Sequence, residues 1–466
     1  MRRREFLRQV ACSGVACATG SALFTQFGMI NAALAAQAGC PAYPPVDDYK
    51  ALICLFLLGG NDSFNLLIPS DSARYAVYAA SRGAMGIAQD QLVAIDALGV
   101  PAGETYGLHP SCPDLATLFN QGHGAFVVNV GTVLQPTTKT DYLTAGYPLP
   151  PQLFSHADQQ GQWQYGQPTA NGSLGWGGLS ADRLYVLNPG ATIPMSISLS
   201  GQNRFQAGVS VQPYTISSAG PTALSGYSGN SGATKLAALE ELLAQSYPDP
   251  LSRTYANKMS NAIDYYNTMQ DALDGAPPLT TPFPDNNPVG DALKEIAKVI
   301  SVRGALQAKR QIFFVSYGSF DTHDSQLTDQ PDLLSTISQA LGAFYNATVE
   351  LGVASSVTTF TMSEFARTLN TDGDGTDHAW GGIQFVSGGA VAGQQLYGTP
   401  AASGGIFPDQ TLDGPDCLQR GQMIPATSCD QYSATLARWL GVSDCDIATI
   451  FPYLSNFGNA DLGFLT

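Results

Sequence analysis

YKALICLFLLGG, residues 49–60, carries an unbroken apolar run from Ala51 to Leu58 and stops at Gly59-Gly60. The run is far too short to cross a bilayer. It also lacks the polar alternation of a strand with one wet face, so it reads as a strand buried on both sides. RQIFFVSYG (310–318), SSVTTFTM (355–362) and IQFVSGGAV (383–391) read the same way, and AFVVNV (125–130) reads as a further strand. Between them, residues 113–120, 234–247, 253–273, 290–306, 332–352 and 430–441 have helical periodicity. Buried strands separated by helices predict an α/β domain: a three-layer, mainly parallel sheet with helices on both faces. Residues 165–230 are rich in Gly, Ser, Asn and Pro and predict hairpins and long loops inserted into that domain.

Such sheets gather ligands at the carboxyl ends of their strands. The first run is followed by Asn61-Asp62-Ser63, and the run at 310–318 by Asp321-Thr322-His323-Asp324. The run at 355–362 is followed by Ser363-Glu364-Phe365-Ala366-Arg367, with Asp377-His378 ten residues further on. Three strands therefore deliver carboxylates and imidazoles to one edge. Carboxylate oxygens and neutral imidazole nitrogens suit one or two divalent ions: zinc, calcium, manganese or magnesium. The candidate ligands are Asp62, Asp321, His323, Glu364, Asp377 and His378. Ser155, His156 and Arg367 are the candidate catalytic residues: His156 adjoins Ser155 in LFSHADQQGQW, where a hydroxyl nucleophile can stand beside a metal, and Arg367 can contact a non-bridging ester oxygen.

Each residue also has a plain reading. Asp62 can cap a helix, Glu364 can pair with Arg367, and Asp321-Thr322-His323 can be a polar turn. His109 and His123 read as loop residues. Ser155-His156 lacks the Gly-x-Ser-x-Gly elbow of a metal-free hydrolase. TDGDGTDHAWGG (371–382) invites comparison with a calcium-binding EF-hand loop, but counting from Asp372 puts Asp377 where glycine is needed and Ile383 where glutamate is needed. Asp372 and Asp374 then read as solvated turn residues, and Asp377-His378 as a strand-edge ligand pair.

The chain opens with MRRREFLRQ, a twin-arginine pattern, followed by small apolar residues and an Ala-x-Ala-like cleavage option near residue 38. Residues 1–38 read as a removable export signal handled by the twin-arginine machinery, with a retained anchor as the alternative. Residues 39–466 read as the mature domain, periplasmic or secreted, with no stable membrane span. Removing the signal takes away four arginines and one glutamate, so the net charge falls from −16 to −19. That excess of acid argues against nucleic acid or anionic membrane partners. Six cysteines remain; pairing of Cys40 with Cys112, or among Cys417, Cys429 and Cys445, is open.

LLGGNDSFNLLIP, LHPSCPDLATLFNQG, LFSHADQQGQW, GWGG, RQIFFVSYGSFDTHDSQ, SEFARTLNTDGDGTDHAWGG and IPATSCDQYSATLARWLG, in that order, resemble the bacterial domain-of-unknown-function 1501 family. The resemblance implies twin-arginine export and a fold similar to the alkaline phosphatase and sulfatase superfamily. It implies metal roles for Asp62, Asp321, His323 and Asp377-His378, with Glu364 competing for the last, and a nucleophile role for Ser155. The chain departs from the family pattern at Ala366 and Ala379, where glycine is usual, and no histidine follows His378. The function expected is an exported metal-dependent hydrolase of phosphate or sulfate esters, acting on a small-molecule or glycan-type substrate. The alternative is a non-catalytic periplasmic or cell-surface binding protein on the same fold.

Overall fold

A computed structural model describes residues 39–166, 174–227, 229–371 and 373–466. The export-signal reading of residues 1–38 and the turn residue Asp372 lie outside the described residues. The run that opens the domain is β1 (Lys50–Leu57), with every residue from Ala51 onward buried. Side chains alternate across a strand, so Ala51, Ile53, Leu55 and Leu57 enter one apolar cluster while Leu52, Cys54 and Phe56 enter another. Two separate cores on opposite faces of one strand make the three layers.

The chain continues through β2 (Leu67–Pro69), α1 (Ser72–Arg82), β3 (Val93–Ile95), β4 (Tyr106–Leu108), α2 (Pro113–Asn120) and β5 (Gly124–Gly131). Then come α3 (Lys139–Leu143), α4 (His156–Tyr165), α5 (Trp176–Leu184), β6 (Ser196–Ser198) and β7 (Tyr214–Thr215). Three long helices follow, α6 (Gly229–Leu243), α7 (Pro250–Asp274) and α8 (Pro288–Ser301), before β8 (Arg310–Tyr317), α9 (Gln326–Glu350) and β9 (Val357–Met362). The remainder is β10 (Arg367–Thr371), β11 (Thr376–His378), β12 (Gly382–Gly388), β13 (Leu396–Tyr397), β14 (Thr427–Ser428), α10 (Cys429–Leu440) and α11 (Asp444–Ile450).

The main sheet runs β13-β5-β12-β9-β1-β8-β6-β7, with β14 also on β5. β1 pairs in parallel with both β8 and β9, in a register that sets Leu57 beside Tyr317 and Phe56 beside Met362. The loops after all three strands therefore leave from one edge. β12 is antiparallel to both β5 and β9. No helix lies between β9 and β12, and a parallel return would need a crossover; the chain turns back through the β10–β11 ribbon instead. Helices α8 and α9 supply one core and α10 the other.

Two expectations are corrected. Among the described residues of 165–230, α5 packs into the second core and the strands β6 and β7 extend the main sheet in parallel where hairpins are expected; the long loops around them are present. Neither expected cysteine pairing forms: the disulfide joins Cys40 to Cys445, while Cys54, Cys112, Cys417 and Cys429 are buried free thiols. Among the described residues no helix is long and apolar enough to cross a membrane.

At the start of α10, Asp430 is enclosed and its Oδ2 meets no hydrogen-bond donor. Burial pushes its carboxyl up to about 8, from 3.8. The folded protein thus keeps a proton that the unfolded chain releases above pH 4. Stability therefore falls as pH rises between 4 and 8, by roughly 4 kcal/mol at pH 7. Asp430→Asn is expected to recover part of this, roughly 2 kcal/mol at pH 7, and to flatten the profile. Urea unfolding at pH 5 and pH 8 checks it; equal pH slopes in both proteins would contradict the reading.

Candidate metal centre

The site forms where the loops after β1, β8 and β9 leave the sheet and the start of α4 comes down on them. After β8 the chain turns through Ser319 and Ser325, both with left-handed backbone (φ 75° and 53°). Asp321 and His323 lie between these two turns. Gly59 allows the end of β1 to approach this loop: a Cβ there would fall 2.4 Å from the Asp321 backbone nitrogen. Gly375 does the same from the other side, since its Cβ would fall 2.2 Å from the His323 carbonyl oxygen. The 371–382 stretch is therefore a ribbon folded against the Asp321–His323 loop, with Arg367 opposite His378 in its register.

His156 Nδ1 stands 2.9 Å from Glu364 Oε1, an atom that also accepts the Gly59 N–H and the Gln160 amide. His378 Nδ1 stands 2.8 Å from the Phe154 carbonyl oxygen. Both partners accept, so each ring carries a proton on Nδ1 and, when neutral, turns a bare Nε2 inward. Those two Nε2 atoms are 3.0 Å apart, and His323 Nε2 is also 3.0 Å from His378 Nε2. Asp321 closes the group: Oδ2 is 3.3 Å from His156 Nε2, and Oδ1 is 3.1 and 3.3 Å from the Nε2 atoms of His323 and His378.

Lone pairs facing each other at this distance repel unless a proton or a cation lies between them. Nitrogen ligands on a tetrahedral zinc ion stand roughly 3.3 Å apart, so the spacing fits a small divalent cation. Among the described residues, two groups of donors meet the proximity a metal needs: His156, Asp321 and His378, and His323, Asp377 and His378. Both require His378 Nε2, because its Nδ1 is committed to Phe154. That nitrogen can serve one ion at a time.

The electrostatics match this division of roles. The Glu364 hydrogen bond raises the His156 pKa against the effect of burial. Burial lowers that of His378 and outweighs the Phe154 hydrogen bond, with the Arg367 charge acting in the same direction as burial. Burial works to raise the Asp321 carboxyl, but the Arg367 hydrogen bond and charge outweigh it and hold it below the usual range. Asp377 is likewise lowered: its burial is outweighed by the His378 N–H and by Arg420, whose Nη1 donates to Oδ2 at 2.7 Å.

Five expected roles are altered: His156, expected among the catalytic residues, stands in a donor group. Asp62 joins neither donor group; its Oδ2 is held by Arg82 and Gln326, inside the protein. Glu364 supports His156 from behind and does not pair with Arg367. Arg367 is fully enclosed, and its donors go to Asp321 Oδ1 (2.6 Å), the Gly59 carbonyl and Thr376, so it holds Asp321 and is closed to solvent. Ser155 donates its hydroxyl to Asp158 at 2.6 Å, as the first residue before α4. His109 is enclosed, its pKa lowered to about 4 by burial, and His123 stacks on Tyr345.

Three contributors were not foreseen. Gln160 sits one turn after His156 on α4, a spacing visible in LFSHADQQ. The Phe154 carbonyl and Arg420 have no signal in the sequence.

Residues 49–411 match the family described as "Protein of unknown function (DUF1501)". The chain belongs to the DUF1501 family. No curated protein matches this DUF1501 chain. Among solved structures it is similar to "Crystal structure of Ps i-CgsB", at 11% identity, 89% of this chain, 78% of that chain and a TM-score of 0.35. It is also similar to BT1596, a 2-O GAG sulfatase, at 9% identity, 75% and 66% coverage and a TM-score of 0.28. For the PsFucS1 sulfatase from Pseudoalteromonas sp. the values are 12%, 80%, 67% and 0.30. Likeness at this level says nothing about the chemistry of the DUF1501 chain.

Glu364→Gln tests the supporting shell of the site. The side chain keeps its shape but no longer offers His156 a carboxylate. Metal affinity is expected to fall roughly 10–100-fold, measured by competition with a chelator. Unchanged affinity with a lowered melting temperature would make Glu364 a packing residue only.

Proposed function

We propose that this protein is an exported, metal-dependent hydrolase of phosphate or sulfate esters. The supporting observation is the set of inward Nε2 atoms of His156, His323 and His378 around Asp321, two of them fixed in tautomer from behind. A divalent ion held there would supply the charge that polarises an ester oxygen and lowers the pKa of an attacking water. Zinc suits either donor group, two imidazole nitrogens and a carboxylate with a fourth position left open.

The chain's own residues have distinct tasks. Glu364 and the Phe154 carbonyl orient two of the imidazoles, and Arg367 fixes Asp321. Asp321 and His323 keep 43% and 39% of their side-chain surface exposed, so an ester can approach from solvent. Arg420, at the rim beside Asp377, has an accessible guanidinium and takes the substrate-facing role expected of Arg367; its planar fork matches a phosphate or sulfate group. The Cys40–Cys445 disulfide suits an oxidising compartment and so supports export.

The test is metal analysis of the purified mature protein, with turnover of aryl phosphates and aryl sulfates before chelation, after it, and after adding back single ions. Turnover lost on chelation and restored by one ion is expected. Tight metal binding without turnover would turn the reading to a binding protein, and absence of both would overturn it.

A further inference from the structure

Beneath the candidate centre lies a fully buried polar chain that belongs to no ligand group. Arg82, from the end of α1, is ion-paired with Asp62 after β1, and both side chains are closed to solvent. Gln326, in the first turn of α9, donates from Nε2 to Asp62 Oδ2 at 2.5 Å, and Gln330 donates to the Asp62 carbonyl at 2.9 Å. At its other end, Gln326 Oε1 accepts two hydroxyls: Thr376 Oγ1 at 2.5 Å and Thr322 Oγ1 at 3.2 Å. Having given its proton to Gln326, the Thr376 hydroxyl can accept from Arg367 Nε at 3.3 Å, and Arg367 Nη1 reaches Asp321 Oδ1.

The direction of every bond in this chain is fixed. A carboxylate only accepts, so Nε2 of Gln326 must face Asp62, and its oxygen is left for the hydroxyls. Reversing the amide would set its oxygen against the buried carboxylate, which is costly in an enclosed site. The two threonines are the significant pair. Thr322 sits between Asp321 and His323, and Thr376 immediately precedes Asp377-His378. One oxygen atom thus clamps the two segments that carry four of the candidate ligands. Backbone bonds from Thr376 N to the Thr322 carbonyl (3.1 Å) and from Gln326 N to the Asp374 carbonyl (3.0 Å) run alongside.

We infer that Gln326 is a positioning residue: anchored on the Arg82–Asp62 pair, it sets the spacing between Asp321-His323 and Asp377-His378 through Thr322 and Thr376. The inference rests on the hydrolase reading only for the use made of that spacing. It also gives Asp62 a task in place of the ligand role expected from its position after β1.

The experiment uses the full mature protein and the variants Gln326→Met, Thr376→Val, Thr376→Ser and Thr322→Val. The first readout is the ring-nitrogen NMR signals of His323 and His378 in metal-free protein. The second is zinc affinity by chelator competition, with the cobalt-substituted spectrum. Gln326→Met and Thr376→Val are expected to shift the ring signals, alter the cobalt spectrum and lower zinc affinity roughly 10–100-fold. Thr376→Ser, which keeps the hydroxyl, is expected to behave as wild type. If Gln326→Met fails to fold, the contrast between the valine and serine variants decides. Identical ring signals in Thr376→Val and Thr376→Ser would overturn the inference, as would a lower melting temperature with unmoved signals and affinity. If wild type takes up no metal, the hydrolase reading fails while the ring signals still decide the role of Gln326.

Discussion

Purified His378→Ala protein is expected to carry no stoichiometric divalent metal and to show no metal-restored ester hydrolysis, while keeping its fold. His378 Nε2 belongs to both donor groups, so its loss breaks each of them, whichever one holds the ion. The ring is half-buried at the site edge, stacked on Phe365 at 4.8 Å between centroids, and is not part of either sheet core. Losing an inner ligand should cost more than the roughly 10–100-fold that loss of a supporting partner costs. The check is metal content by mass spectrometry, turnover with added ions, and circular dichroism to establish the fold. Ser155→Ala is the matched control, since its hydroxyl is turned to Asp158, and it should keep its metal. A His378→Ala protein that binds and turns over as wild type would end the metal-centre reading.

Arg82→Met should destabilise the protein by about 3–5 kcal/mol, because it leaves the Asp62 carboxylate buried without its counter-charge. Arg82 also donates from Nη1 to the carbonyls of Thr368 and Leu369, so the start of the β10–β11 ribbon loses its tie to α1. Pairing the change with Asp62→Asn removes the stranded charge and should restore part of the loss. The difference between single and double variants in urea unfolding measures the coupling. A loss below about 1 kcal/mol, or strict additivity, would show that Asp62 is uncharged in the fold or finds another partner.

The central strands were readable because burial on both faces leaves an unbroken apolar run, as in β1 and β8. Direction was not readable in the same way: IQFVSGG looks alike whether β12 lies parallel or antiparallel, and only the missing crossover helix after β9 decides it. β6 and β7 were hidden because three and two residues are too few to show a period. For the site, sheet-edge logic brought Asp321, His323, Glu364, Asp377 and His378 together, since loops after parallel strands share an edge; His156 comes from the start of α4 and was marked only by its place beside Ser155. That logic could not tell an inward carboxylate from one turned into the core. Asp62 follows β1 just as Asp321 follows β8, yet Arg82, from α1, claims it. That guanidinium carries no mark in the sequence distinguishing it from a solvated one. The Cys40–Cys445 bond was equally invisible, because a separation of 405 residues leaves no local pattern.

That bond has a mechanical consequence. Cys40 lies ten residues before β1, and Cys445 lies in α11, which is further held by Asp446 through Tyr43 and Arg183. A tug on the chain ahead of Cys40 is therefore shared through sulfur with α11, which is anchored in the second core by Ile447 and Ile450, so part of the load bypasses the middle strand of the sheet. Were the leading segment to remain as a tether, the domain would hang from its rim, with the ligand-bearing loops out of the line of force.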